Sequence, residues 1–291
     1  MGEEIQGGEG DTGWRKAIPQ ARDRLQSRVL VGVVVPLLAV GTAVVYRPLT
    51  TAAAVPLLCS FAFAVVVWLL RSATLPAAGA GFLVCAILAR IPTIWTGFSP
   101  LPIYRPAIPA LIMLFVLTFA ATRFGRKKKQ RRGVAEARSG RRASQIVANL
   151  GVAALCALIG RYDGCIAALA EATADTVSSE IGQAVGGSTW MLTTLRRVPS
   201  GKDGGASLAG SMAGIAAAAV VVAAGSLHHA LWPDKALVFA AACAGLFFDS
   251  LLGATLEQRG WLGNDLVNFS STLFAASVPY VWLLLRGRVV F

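Results

Sequence analysis

Long apolar runs separated by short polar breaks fill the chain from about residue 29 onward, at about 29–46, 49–70, 73–95, 103–122, 144–160, 164–182, 204–231, 236–256 and 266–285. A helix needs about 17–25 apolar residues to cross the hydrocarbon of a bilayer. The pattern therefore predicts an all-α fold, a polytopic transmembrane helix bundle of about nine spans (seven to nine), with the second and third spans the least sharply bounded. Pro36 and Pro56 fall inside two runs, which lipid-embedded helices tolerate when neighbours satisfy the freed carbonyls. The small-residue stretch 209–224, with Gly210 and Gly214 four apart, suits close helix contact.

Four segments follow. Residues 1–28 read as a flexible cytoplasmic tail with a short surface helix near 14–25. Residues 29–122 are the N-terminal transmembrane helices, 123–143 a basic cytoplasmic loop, and 144–291 the C-terminal helices that carry the polar motifs. The loop from Arg123 to Arg142 holds a dense run of Lys and Arg against a single acid, Glu136, and such loops stay on the cytoplasmic side. With an odd number of helices the C-terminal Arg286 and Arg288 then fall outside, which is the one misfit. The expected location is a bacterial inner (plasma) membrane, multi-pass, with the N-terminus cytoplasmic. The first apolar run has no small-x-small cleavage site and is expected to remain as an anchor.

Composition agrees. Of 291 residues, 55% are hydrophobic and only 14% charged, against about 25% charged in soluble domains, and mean hydropathy is +0.63. The net charge of +12 is clustered beside the apolar spans, which points to orientation and anionic membrane lipids and not to nucleic acid. The five cysteines (Cys59, Cys85, Cys156, Cys165 and Cys243) sit in apolar runs without ligand spacing, so neither a disulfide framework nor a zinc site is expected. His228-His229 precede Trp232 and read as an interfacial loop, because adjacent helical side chains diverge by about 100°.

Against this background the polar residues inside apolar runs stand out. Glu171, Asp175 and Ser178 are spaced i, i+4 and i+7, on one helix face. Glu180 lies roughly 140° round the helix from Asp175. The topology brings five polar clusters to the cytoplasmic end: Arg141-Arg142 with Gln145 and Asn149; Asp175 with Glu180; the turn Lys202-Asp203-Gly204-Gly205-Ala206-Ser207; Asp249 with Glu257; and Asn264, Asp265 and Asn268. Solvated helix ends would give some of this pattern. Asn149, Asp175 and Asp249, however, lie within apolar runs, where each polar group needs a partner. Carboxylates, a glycine-rich turn and basic side chains are the parts of a phosphoryl-transfer site, with Mg²⁺ bound by one or two carboxylates and phosphate oxygens. The turn is not a Walker A motif, because its spacing is absent.

The stretches Arg142-Ala-Ser-Gln145-Ile-Val-Ala-Asn149, Ala174-Asp175-Thr-Val-Ser-Ser-Glu180-Ile-Gly182, Gly204-Gly205-Ala-Ser207, Asp249-Ser250-Leu-Leu-Gly253 and Asn268 occur in one family's order. In them the chain resembles the transmembrane protein 19 family, which includes plant phytyl-phosphate kinases and bacterial and archaeal relatives. The resemblance implies an integral membrane kinase that takes an isoprenyl phosphate lipid to its diphosphate, with a nucleoside triphosphate (CTP or ATP) as donor and Mg²⁺ as cofactor. On that reading Asp175, Glu180 and Asp249 are the catalytic and metal-binding acids. Arg142, Gln145, Asn149, Lys202, Asp203, Gly204, Gly205, Ser207 and Asn268 bind substrate or nucleotide. The prenyl chain is expected against the small-residue face 209–224. Membrane lipids are the other partners, with a homo-oligomer allowed. Two alternatives stay open: a polyprenol (lipid alcohol) kinase, which needs a carboxylate base, and an ion-coupled membrane transporter, for which no inverted repeat is visible.

Overall fold

The computed structural model describes residues 18–47, 49–90, 107–132, 140–227 and 235–286. Each apolar run becomes a helix: α1 (Gln20–Val45), α2 (Thr51–Leu69), α3 (Leu75–Arg90), α4 (Ala107–Arg123), α6 (Ala143–Leu158), α7 (Tyr162–Val185), α8 (Leu208–Gly225), α9 (Lys235–Leu252) and α10 (Asn264–Leu285), with a short basic helix α5 (Arg126–Arg131) after α4. Among the described residues, three helices (20–45, 208–225 and 235–257) are long and apolar enough to cross a membrane by length and composition alone. Shorter apolar helices cover 53–69, 75–90, 107–123 and 143–158. The expected count of about nine is thus met by helices and not established for crossings.

α7 is the axis of the bundle. It packs against α4, α6, α8, α9 and α10, and its residues 164–174 are buried without a break. The small side chains on α7 and α8 set their distance. A Cβ on Gly210 would stand 2.5 Å from the Ser178 carbonyl oxygen, and one on Gly214 would stand 2.6 Å from that of Ala174. In lipid this close approach of backbones, with no hydrophobic drive between helices, is what holds them together. The face of 209–224 expected to receive a prenyl chain is therefore filled by α7. α1 shows the complementary pattern: Leu30, Val34 and Leu38 are buried, while Val29, Val33, Leu37 and Val44 form an exposed stripe suited to lipid.

Three departures from the expected organisation lie at the end of the bundle that carries the polar clusters. First, the helix expected near 14–25 runs on without a break into the first span, and residues 20–28 of α1 bond to the segment that leads into α10. Ser27 Oγ donates to Asp265 Oδ2 (2.6 Å), Arg22 to Gly260 O (3.0 Å), and Gln26 Oε1 accepts from Gly263 N–H (2.8 Å). Residues 1–17 lie outside the described set.

Second, part of the basic loop is folded. Lys129 is 1% exposed; its Nζ donates to the carbonyls of Ala121 (3.1 Å) and Thr122 (2.9 Å) and pairs with Glu180. Lys128 donates to Val185 O and Arg132 to Gln183 O. These are cations at the C-terminal carbonyls of α7, where the helix dipole favours positive charge.

Third, the fold is not wholly α. Residues 189–207 form a three-stranded antiparallel sheet, β1 (Thr189–Met191), β2 (Arg197–Val198) and β3 (Gly205–Ser207), in the order β2-β1-β3. Two- and three-residue strands are too short to leave an alternating pattern in the sequence.

Residues 91–106, and the His228-His229 pair, fall outside the described residues.

Candidate active site

The acids of α7 and α9 meet near that same end. Glu171 and Asp175 lie one turn apart on α7, and both are charge neighbours of Asp249 on α9. Asp175 and Asp249 are half-buried, whereas Glu171 is wholly buried. α10 supplies the polar lining. Ser271 Oγ donates to Asp249 Oδ2 (3.2 Å) and also lies near Asn268 O (3.0 Å). The Asn268 amide, in the orientation that satisfies its neighbours, donates to Asp249 Oδ2 and to Asn264 O, both at 3.3 Å. Asp249 is thus held from two positions one turn apart on α10.

Glu171 differs. Ser271 faces it as well, but among the described residues neither of its oxygens has a partner in hydrogen-bonding geometry. Gly245 leaves room for it: a Cβ there would stand 2.6 Å from Glu171 Cγ. An orphaned buried carboxylate costs about 1–3 kcal/mol or more. The sequence marks Glu171 by its i, i+4 spacing to Asp175, yet gave no reason to assign it to the site. The glycine opposite it, on a different helix, is not visible by spacing.

Positive charge enters from the segment just before α6. Arg141 lies within electrostatic reach of Asp175, and its Nη2 is 3.5 Å from Thr176 Oγ1. Its backbone is fixed by a bridge to the α2–α3 turn: Arg141 N–H donates to Ser72 O (3.0 Å) and Arg141 O accepts from Thr74 N–H (3.0 Å).

The glycine turn covers the end of α9. α9 continues through a π-helical turn, residues 253–257, a distortion often found beside functional sites. Gly204, at φ +75°, is pressed on it, and a Cβ there would lie 2.2 Å from Ala254 N. Gln258 Nε2 ties the turn down by donating to Asp203 O (3.0 Å).

Several predicted residues have structural duties. Gln145 Oε1 accepts from the Arg142 N–H (2.8 Å) and so caps α6, Arg142 itself being exposed; Asn149 Nδ2 donates to Gln145 O (2.8 Å). Ser207 is the N-cap of α8, accepting from Gly210 N–H. Gly205 opens β3, and Lys202 and Asp203 lie half-buried in the turn before it. Glu180 is not gathered with the other acids. It is engaged by Lys129 on the side facing α5, as its angular offset from Asp175 requires.

Among the described residues, no three acidic, His or Cys side chains form a protein-only metal cage. Mg²⁺ does not need one, since it is held by one or two carboxylates, water and phosphate oxygens. The all-oxygen set of Asp175 and Asp249, beside the unpartnered Glu171, fits that demand.

A helical membrane bundle with a carboxylate cluster at one end, an arginine beside it and a glycine turn across it defines the class. The chain belongs to the integral membrane protein DUF92 family, whose model matches residues 58–276. The uncharacterized membrane protein sll0875 of Synechocystis is 34% identical over 182 residues, 58% of this chain and 70% of that one. Protein VTE6, chloroplastic, of Arabidopsis thaliana is 33% identical over 172 residues, 53% of this chain. The chain spans about half, 51%, of that protein's length. The uncharacterized membrane protein MJ0933 of Methanocaldococcus jannaschii is 31% identical over 172 residues, covering 56% of this chain and 70% of the relative. No solved structure matches the chain.

Proposed function

We propose that the protein is a membrane-bound kinase that transfers a phosphoryl group from CTP or ATP to an isoprenyl monophosphate, giving the diphosphate. The resemblance to the phytyl-phosphate kinases supports the reaction class. The observation that carries the reading is Asp249, held by Ser271 and Asn268 and charge-coupled to Asp175, which itself neighbours Arg141.

An oxygen of the acceptor phosphate attacks the terminal phosphorus of the donor. The bond from that phosphorus to the bridging oxygen breaks, and the nucleoside diphosphate leaves with the electron pair. The attacking phosphate is already anionic, so the site must neutralise and position charge more than abstract a proton. Mg²⁺, held by Asp175 and Asp249, would supply neutralisation of the donor's phosphates. Arg141 lowers the repulsion between donor and acceptor phosphates, and the backbone of the 202–205 turn approaches the donor closely because Gly204 and Gly205 carry no side chain. Ser271 and Asn268 keep Asp249 aimed.

The test is direct. Purified full chain is incubated with Mg²⁺, terminally labelled CTP or ATP, and geranylgeranyl phosphate or the parent alcohol. Labelled diphosphate should form from the monophosphate and fall about 100-fold in Asp249→Asn, the scale of losing one preorganised polar group. Phosphorylation of the alcohol alone, or no transfer from either nucleotide, overturns the proposal.

A further inference from the structure

A cavity of about 960 Å³ opens between α2, α3, α4 and α6. Its body is apolar, walled by Phe63 of α2 and by Leu111, Leu114 and Phe115 of α4. Its rim is cationic, with Arg71, Arg126 and Arg141 among its lining residues. The size is at the upper end of the roughly 300–1,000 Å³ of small-molecule sites, enough for one prenyl chain.

The rim is built, and is more than a basic loop lying near a gap. Arg71 adopts φ +54°, a left-handed conformation that side-chain-bearing residues rarely take. Gly140 is packed on the same turn so tightly that a Cβ would stand 2.6 Å from Ser72 C and 2.7 Å from Arg71 O. The backbone bridge from Ser72 and Thr74 to Arg141 completes the rim. Two arginines from distant parts of the chain are thereby fixed at one opening, and one of them, Arg141, is also the charge partner of Asp175.

We propose that this cavity is the acceptor-lipid site. It takes a single-chain prenyl phosphate, with the phosphate at Arg71 and Arg141 and the hydrocarbon against Phe63, Leu114 and Phe115. The choice of a phosphate acceptor rests on the kinase reading. The amphiphilic character of the ligand rests on the cavity alone, through its charge and apolar lining. Arg141 then joins the two sites, with one phosphate bound at the rim and carboxylates on its other side.

Gly81 offers a clean test. It lines the cavity, and a Cβ there meets nothing within 4 Å among the described residues, so Gly81→Phe puts a ring into that space. Gly79 is equally open but lies exposed on α3 outside the cavity, so Gly79→Phe is the control. The full chain in nanodiscs, without nucleotide, is irradiated with a diazirine analogue of geranylgeranyl phosphate, and the label is mapped.

Label on α2 and α4, at least ten-fold weaker in Gly81→Phe and unchanged in Gly79→Phe, is expected. Geranylgeranyl phosphate should compete, while inorganic phosphate should not. Label elsewhere in the wild-type chain, an undiminished signal in Gly81→Phe, or equal competition by phosphatidic acid overturns the site. Because no turnover is needed, the two proposals fail separately. Labelling as expected without any diphosphate product sinks the kinase reading and leaves the site standing. Diphosphate formation with the KM for prenyl phosphate unchanged in Gly81→Phe does the reverse.

Discussion

Gly204 sits on Ala254, and the space a methyl group on it would need is already taken by the Ala254 backbone nitrogen 2.2 Å away. The contact joins the turn after β2 to the π-helical end of α9, only a few residues beyond Asp249.

Gly204→Ala should therefore do two kinds of harm. It introduces a clash with backbone, and it places a side chain at φ +75°, which together should cost more than about 1 kcal/mol. The expected result is a lower melting temperature and lost phosphoryl transfer. Gly187 is also at positive φ (+101°), with nothing within 4 Å of an added Cβ; Gly187→Ala should lose stability through strain alone and keep its activity.

Lys129 and Glu180 give a second prediction. Lys129→Ala strips the partner from a largely buried carboxylate and leaves the Ala121 and Thr122 carbonyls uncapped, and breaking such a pair costs about 3–5 kcal/mol. Glu180→Gln with Lys129→Met should recover a large part of that loss, measured as a double-mutant cycle on thermal or denaturant unfolding. If Glu180 is a structural partner, Glu180→Gln alone should keep most of its turnover, whereas Asp249→Asn should not. Equal loss in both would return Glu180 to the chemistry.

Glu171→Met is expected to separate stability from activity. The wild-type carboxylate is wholly buried without a hydrogen-bond partner, so an apolar side chain of similar length should stabilise the fold by about 1–3 kcal/mol. Turnover should fall if the carboxylate is kept for its charge beside Asp175 and Asp249, a usual trade between stability and activity. A variant both more stable and fully active would show that Glu171 has no part in the site.

Ser27 and Asp265 test whether the start of α1 is docked. Asp265 is 4% exposed and accepts from Ser27. Ser27→Ala should cost about 1.5–3 kcal/mol, as for a hydrogen bond to a charged group, and should increase hydrogen exchange at residues 20–28.

Much of this was legible in the sequence. The nine apolar runs each become a helix, because span length and apolar continuity are properties of consecutive residues. Asn149, Asp175 and Asp249 were identifiable as polar groups within apolar runs and Asn268 as part of the polar start of the ninth; the structure brings Asp175, Asp249 and Asn268 together, while Asn149 bonds to its own helix. Other features depend on pairs far apart in the chain. Glu180 looked like a third acid of the cluster because nothing in the sequence links it to Lys129, fifty-one residues earlier. The basic run suggested an open loop because burial of Lys129 requires carbonyl acceptors at the end of α4. Gln145 and Ser207 lie in the stretches that carry the resemblance, yet the structure gives each a capping role that such a stretch cannot distinguish from ligand binding. The acceptor chain was expected along 209–224 because small residues leave room on a helix. On α8 that room is used by the backbone of α7.

The same seam limits how the bundle can move. With Gly210 and Gly214 seated against α7 carbonyl oxygens, α7 and α8 form one rigid stave, and sliding between them would drive glycine backbone over its neighbour's peptide groups. Asp175 and the strand leading into α8 are thereby fixed relative to each other. If the cavity between α2, α3, α4 and α6 takes the lipid as proposed, the movement that admits it falls to those helices and not to this seam.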